Sequence, residues 1–153
     1  MGRIRMAAKA VIVEDGRILL NHCRDSSGEW YALPGGGQEQ GETLAETLVR
    51  ECREEIGTAV EVQRLLFVRE IIVANHSFTY LEEAAHQVEH LFACQLPDGY
   101  RPHCGPGADA AQIGVRWMDR SALEGARVYP RRSRELIDPA LWSEWPVYWG
   151  DLE

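Results

Sequence analysis

The chain has 153 residues, 45% of them hydrophobic and 26% charged, a mix that suits one globular domain with a single core rather than two large ones. Its formal net charge of -8 excludes a general attraction for polyanions, so no DNA partner is expected, and an anionic ligand would need a local cluster of arginines or a bound cation. No run of about 18 apolar residues exists to span a bilayer, and the amino-terminal apolar run stops too early, at Glu14–Asp15–Gly16, for a secretory signal; the expected location is the cytoplasm, with no membrane partner.

In chain order, the β-favouring runs Ala7–Glu14 and Arg17–Cys23 flank a turn containing Gly16 and read as a hairpin. Residues 24–37 read as a loop by composition. From Thr43 to Ile56 the apolar residues Leu44, Leu48, Cys52 and Ile56 recur every four positions, which predicts a helix. Thr43 and Glu46 form a capping box at its start, and Gly57 supplies its stop. Val60–Ala74 predicts a long, bent strand and Gln87–Leu96 another, joined by a surface loop. The Gly/Pro-rich stretch 98–112 reads as a mobile loop. A short strand, Gly114–Asp119, precedes two helical candidates at residues 120–126 and 129–137. Strands interspersed with few helices predict a layered α/β or α+β domain with a mixed sheet. Residues 1–137 form the expected single domain, and 138–153 an aromatic-rich tail that packs on it or at an interface such as that of a homodimer.

Cys23, Cys52, Cys94 and Cys104 form no CxxC pair; three are expected to be small buried residues, and Cys104 an exposed thiol. The segment Arg50–Gly57 carries the chemistry. At about 100° per residue, Glu51 and Glu55 stack on one side of the helix, Glu54 lies close by, and this side adjoins the apolar stripe. Carboxylates crowded at the edge of a core repel one another, and a hard divalent cation suits such oxygens.

From Gly36 the chain reads G-x5-E-x7-R-E-C-x-E-E-x-G-T, with Glu42, Arg50, Glu51, Cys52, Glu54, Glu55, Gly57 and Thr58 at the fixed positions. This resembles the box motif of the Nudix hydrolase family, departing only at Cys52 and Thr58, where the family has aliphatic residues. The resemblance extends from about Met6 to Ile137 and implies an α/β/α sandwich with a central mixed sheet. It implies hydrolysis of a pyrophosphate bond in a nucleoside diphosphate derivative with Mg²⁺ or Mn²⁺. Glu51, Glu54 and Glu55 would be metal ligands, Arg50 would position a carboxylate, and Arg50, Glu51 and Glu54 would form the catalytic set. Gly36, Gly37, Glu42 and Glu89 would serve the substrate or a second metal. A general base is open among the box glutamates and Glu82, Glu83 and Glu89. Trp30, Phe78 and Tyr80 are candidates to stack a base, while His86 and His90, on one strand face, read as packing or solvent residues. Val73–His76 carries neither the proline nor the tyrosine that marks two substrate classes of the family. Two alternatives remain: a nucleotide-sensing module without turnover, and an RNA-processing pyrophosphohydrolase using Arg131, Arg132 and Arg134.

Overall fold

The computed structural model describes residues 2–76, 81 and 85–153. The chain opens with strands β1 (Ile4–Val11), β2 (Val13–Glu14) and β3 (Arg17–Asp25). The hairpin pairs Val13 with Ile18 and Glu14 with Arg17 around Asp15 and Gly16, whose φ angles of 51° and 71° suit the twist of a two-residue turn. Its first arm is not one strand. The chain changes sheets at Ile12, leaving β1 in one and β2 in the other.

Residues 24–37 hold two strands rather than a loop, β4 (Gly28–Ala32) and β5 (Gly35–Gly37). Asp25 pairs with Gly28 across a two-residue turn, its carboxylate accepting from the amide and hydroxyl of Ser27. Trp30 and Tyr31 are buried beyond it. β5 pairs with β1 as Ala7–Gly37, Ala8–Gly36 and Lys9–Gly35. Glycine composition misleads here because the missing side chains let this strand lie between β1 and a helix.

Helix α1 (Leu44–Ile56) follows, then β6 (Glu61–Ile72), β7 (His86–Gln95), β8 (Gln112–Asp119), α2 (Arg120–Glu124), β9 (Val128–Tyr129), α3 (Ser133–Leu136) and β10 (Tyr148–Asp151). The first sheet is mixed, in the order β10-β6-β7-β1-β5; in the second, β2-β3-β4-β9, β8 also pairs with β3. The bend expected in β6 corresponds to register shifts against β7 between Val62 and Phe67. Helix α1 buries Leu48, Cys52 and Ile56 against Ala8, Ala10 and Leu19. A second cluster joins Val11, Phe67 and Leu91 of the first sheet to Ile18, Leu20 and Met118 of the other. The fold is mixed α/β, and its later helices are one turn or little more.

The tail ends in β10, which pairs in parallel with β6. Trp149 stacks on Phe67 with ring centroids 4.5 Å apart, and Trp145 lies 5.7 Å from the same ring.

Candidate active site

The carboxylates are placed by a helix whose two ends are both locally specified. Thr43 Oγ1 accepts from the Glu46 amide at 3.1 Å, the Glu46 carboxylate accepts from the Thr43 amide at 3.2 Å, and Gly57 closes the helix in the left-handed conformation.

Arg50 is the hub. Its Nε and Nη2 donate to the two oxygens of Glu42 at 2.7 and 2.9 Å, Nη1 donates to Glu51 at 2.9 Å and reaches Glu54 at 3.5 Å, and Nη2 also donates to the Gly37 carbonyl at 3.1 Å. One guanidinium thus ties the 37–42 segment to the helix face and neutralises part of its charge. The Arg50 hydrogen bonds, joined by those of the Glu39 amide and Thr47 hydroxyl, hold the Glu42 carboxyl down to about 2.

Glu51 lies over Gly36, where a β-carbon would come 2.6 to 2.7 Å from its carboxyl group. Glu55 points inward, accepting from the Gly35 amide at 3.1 Å and from Asn21 Nδ2 at 2.5 Å. Burial pushes its carboxyl well above the usual carboxylate range; nearby Lys9 and the Gly35 amide oppose this, and contact with the Glu51 carboxyl adds to it. The carboxylate oxygens of Glu51 and Glu55 are hard donors of the kind that suits Mg²⁺ or Mn²⁺. Among the described residues no three His, Cys, Asp or Glu side chains are already gathered at ligand spacing. Glu54 is drawn toward Arg50 instead, its side chain 42% exposed.

The structure brings Glu42, Arg50, Glu51, Glu54, Gly36 and Gly37 together, with Glu55 just beneath. Glu89 is elsewhere. It is fully buried, accepting from Arg69 Nε and Gln87 Nε2, both at 2.7 Å. Arg69 brings its carboxyl below the ordinary range against the upward push of burial. Gln87 also accepts from Arg5, whose guanidinium lies where a β-carbon on Gly37 would be. A groove of about 730 Å³ runs along Arg3, Arg5, Met6, Gln38, Glu42 and His86 beside the box.

Lys9, Asn21 and Arg5 escaped the sequence reading, although Lys9 and Asn21 each interrupt an apolar strand, a signal that a buried polar partner is needed. Trp30 is a core residue, donating to Asp25 and packing edge-on to Tyr129. His86 bonds Glu70, and His90 the Ala7 carbonyl. Phe78, Tyr80, Glu82 and Glu83 lie outside the described residues. The three arginines of the suggested basic patch have intrachain partners: Arg131 on Glu153, Arg132 over Trp145 and Trp149, and Arg134 on the Leu123 and Ala126 carbonyls. Cys23, Cys52 and Cys94 are buried and Cys104 exposed, as expected.

Curated relatives include the human 8-oxo-dGDP phosphatase NUDT18, 33% identical over 114 residues, which cover 74% of this chain and 30% of that protein. Another is the putative ADP-ribose pyrophosphatase YjhB of Bacillus subtilis, 32% identical over 91 residues, 60% of this chain and 41% of the relative. The chain thus matches less than half the length of either. Among solved structures, a MutT NUDIX hydrolase from Burkholderia pseudomallei shares the fold at a TM-score of 0.67 and 24% identity, covering 90% of this chain and all of that one. A UDP-X diphosphatase does so at 0.68 and 23%, covering 99% and 68%. The NUDIX domain family model matches residues 3–138, which contain the Arg50-centred carboxylate set, and the chain belongs to that family.

Proposed function

We propose that this protein is a divalent-metal-dependent pyrophosphohydrolase acting on a nucleoside diphosphate carrying a further group. The observation that carries the reading is the convergence of Glu42, Glu51 and Glu54 on one guanidinium, with the Glu51 and Glu55 carboxyls in contact beside it. The names of the relatives, an 8-oxo-dGDP phosphatase and a putative ADP-ribose pyrophosphatase, support a nucleoside diphosphate unit as the shared element.

Glu51, Glu54 and Glu55 would hold Mg²⁺ or Mn²⁺, which when bound screens phosphate charge and activates water. Arg50 orients Glu51 and Glu54, either of which can take the proton of the attacking water. The missing side chains of Gly36 and Gly37 let the Glu51 carboxyl and the Arg5 guanidinium lie against the strand, where a phosphate would meet them, and Glu42 keeps Arg50 in place. Glu89, buried and paired with Arg69 and Gln87, connects to the groove through Gln87 and Arg5. Among the described residues no helix is long and apolar enough to cross a membrane. Four unpaired thiols favour a reducing compartment such as the cytoplasm.

The test is a panel of nucleoside diphosphate derivatives incubated with and without Mg²⁺. We expect metal-dependent release of a nucleoside monophosphate or phosphate from at least one member, reduced by orders of magnitude in Glu54→Gln and Glu55→Gln while both variants remain folded. Tight binding of a panel member without any turnover would favour the sensor.

A further inference from the structure

We infer that the 100–112 loop is a positioning cap that fixes the last turn of α1, and with it Glu54 and Glu55, for cation binding; this rests on the reading of those two carboxylates as ligands. A helix leaves its last four carbonyls without intrahelical partners, and many ends are completed by a left-handed glycine or by water. Here the loop supplies the donors itself. The Gly107 amide donates to Glu54 O at 2.8 Å, the Gly105 amide and Gln112 Nε2 both donate to Glu55 O at 2.9 and 2.8 Å, and the Tyr100 hydroxyl donates to Ile56 O at 2.7 Å.

The approach is close enough to require missing side chains. A β-carbon on Gly105 would stand 2.5 to 2.7 Å from Glu54 O, Arg53 O and Gly57 N, and one on Gly107 2.7 Å from Glu54 Cβ. The loop backbone therefore packs against the Cα and Cβ atoms of Glu54 and holds the carbonyl of Glu55. Its anchorage is rigid at the far end, where Gln112 begins β8 in register with Cys23 of β3 and the Asp109 carboxylate accepts from the Ala111 and Gln112 amides. These donors also offset the negative partial charge that a helix carboxyl end would place under three carboxylates. Gly105, Gly107 and Gln112 are positioning residues on this account, since none touches the groove.

The experiment titrates Mn²⁺ into nucleotide-free protein by calorimetry and follows exchange of the Gly105 and Gly107 amides by NMR. Gln112→Met keeps side-chain length and removes the donor; Gly107→Ala drives a methyl group toward Glu54; Gln112→Lys restores a donor. We expect the Mn²⁺ dissociation constant to rise about fivefold in Gln112→Met, the loss of one hydrogen bond, and more in Gly107→Ala, with partial recovery in Gln112→Lys. kcat at saturating Mn²⁺ should fall while KM for the nucleotide stays near the parent value. Should Gly107→Ala fail to fold, Tyr100→Phe, which deletes only the hydroxyl, gives the same readout in smaller measure. Faster amide exchange or lower stability with unchanged Mn²⁺ affinity and kcat would overturn the inference and leave an ordinary helix cap. Glu54→Gln and Glu55→Gln titrated in parallel separate the two readings. If they abolish Mn²⁺ binding and the loop variants do not alter it, only the cap role fails; if they too leave Mn²⁺ binding intact, the cation-site reading falls with it.

Discussion

Gly35 and Gly36 are neighbours in one short strand, yet a methyl group on each meets a different obstacle. At Gly35 the φ angle is 137° and the new carbon would lie 2.1 Å from the Ala8 carbonyl oxygen, which is backbone of the paired strand. At Gly36 it would meet the carboxyl end of Glu51, a side chain able to swing away. Gly35→Ala is therefore expected to cost about 3 kcal/mol or more of stability in a denaturant titration, and Gly36→Ala less than about 1 kcal/mol. Turnover should show the opposite order once folded fractions are matched: displacing Glu51 by about 1 Å lowers kcat by roughly a hundredfold. Arg50→Lys is not a mild change either, because an ammonium cannot keep the paired bonds to Glu42 while reaching Glu51.

Among the elements, α1 was the most legible, since its stripe, capping box and glycine stop are all local. Its predicted bounds of Thr43 to Ile56 differ from the observed helix only in that Thr43 is the cap itself. The same locality gives a prediction. Glu46 accepts from the Thr43 amide and takes no part in the Arg50 cluster, so Glu46→Ala should cost roughly 1 kcal/mol or less in thermal unfolding and leave the metal-saturated rate near the parent value. Illegible elements were those whose reason lies elsewhere in the fold. β5 is glycine alone and owes its strand character to β1 beside it, while the Trp30 and Tyr31 of β4 are masked by the turn-forming residues on either side of them. The 98–112 stretch looked like free loop because nothing within it announces the carbonyls of Glu54, Glu55 and Ile56 that it meets. Of the site, the box residues were readable from their spacing; the roles of Lys9 and Asn21 were not, since their partner Glu55 lies on α1, far from either in sequence.

At the scale of the whole molecule, the tail completes the first sheet. Asp151 accepts from the Ile72 amide at 2.9 Å, Asn75 at 2.8 Å and His76 at 2.7 Å, and buried Arg69 donates to the Leu152 carbonyl at 2.8 Å. Partial burial alone would raise the Asp151 carboxyl; the Asn75, Ile72 and His76 contacts outweigh it and bring the group from the ordinary 3.8 down to about 2. A depressed carboxyl adds stability that is complete above the unfolded value and disappears as pH falls through the folded one. Asp151→Ala should accordingly be less stable than the parent by on the order of 1 kcal/mol at pH 7, with the gap closing between about pH 4 and 2 in paired denaturant titrations. The parallel pairing of β10 with β6 also has a kinetic side, for Tyr148 meets Val68 only after the whole intervening chain has been laid down. Contacts of such sequence separation form late. In a chevron plot the Asp151→Ala loss should thus appear almost wholly as faster unfolding, with the refolding limb unmoved, so that this last strand sets how long the folded molecule persists rather than how quickly it is reached.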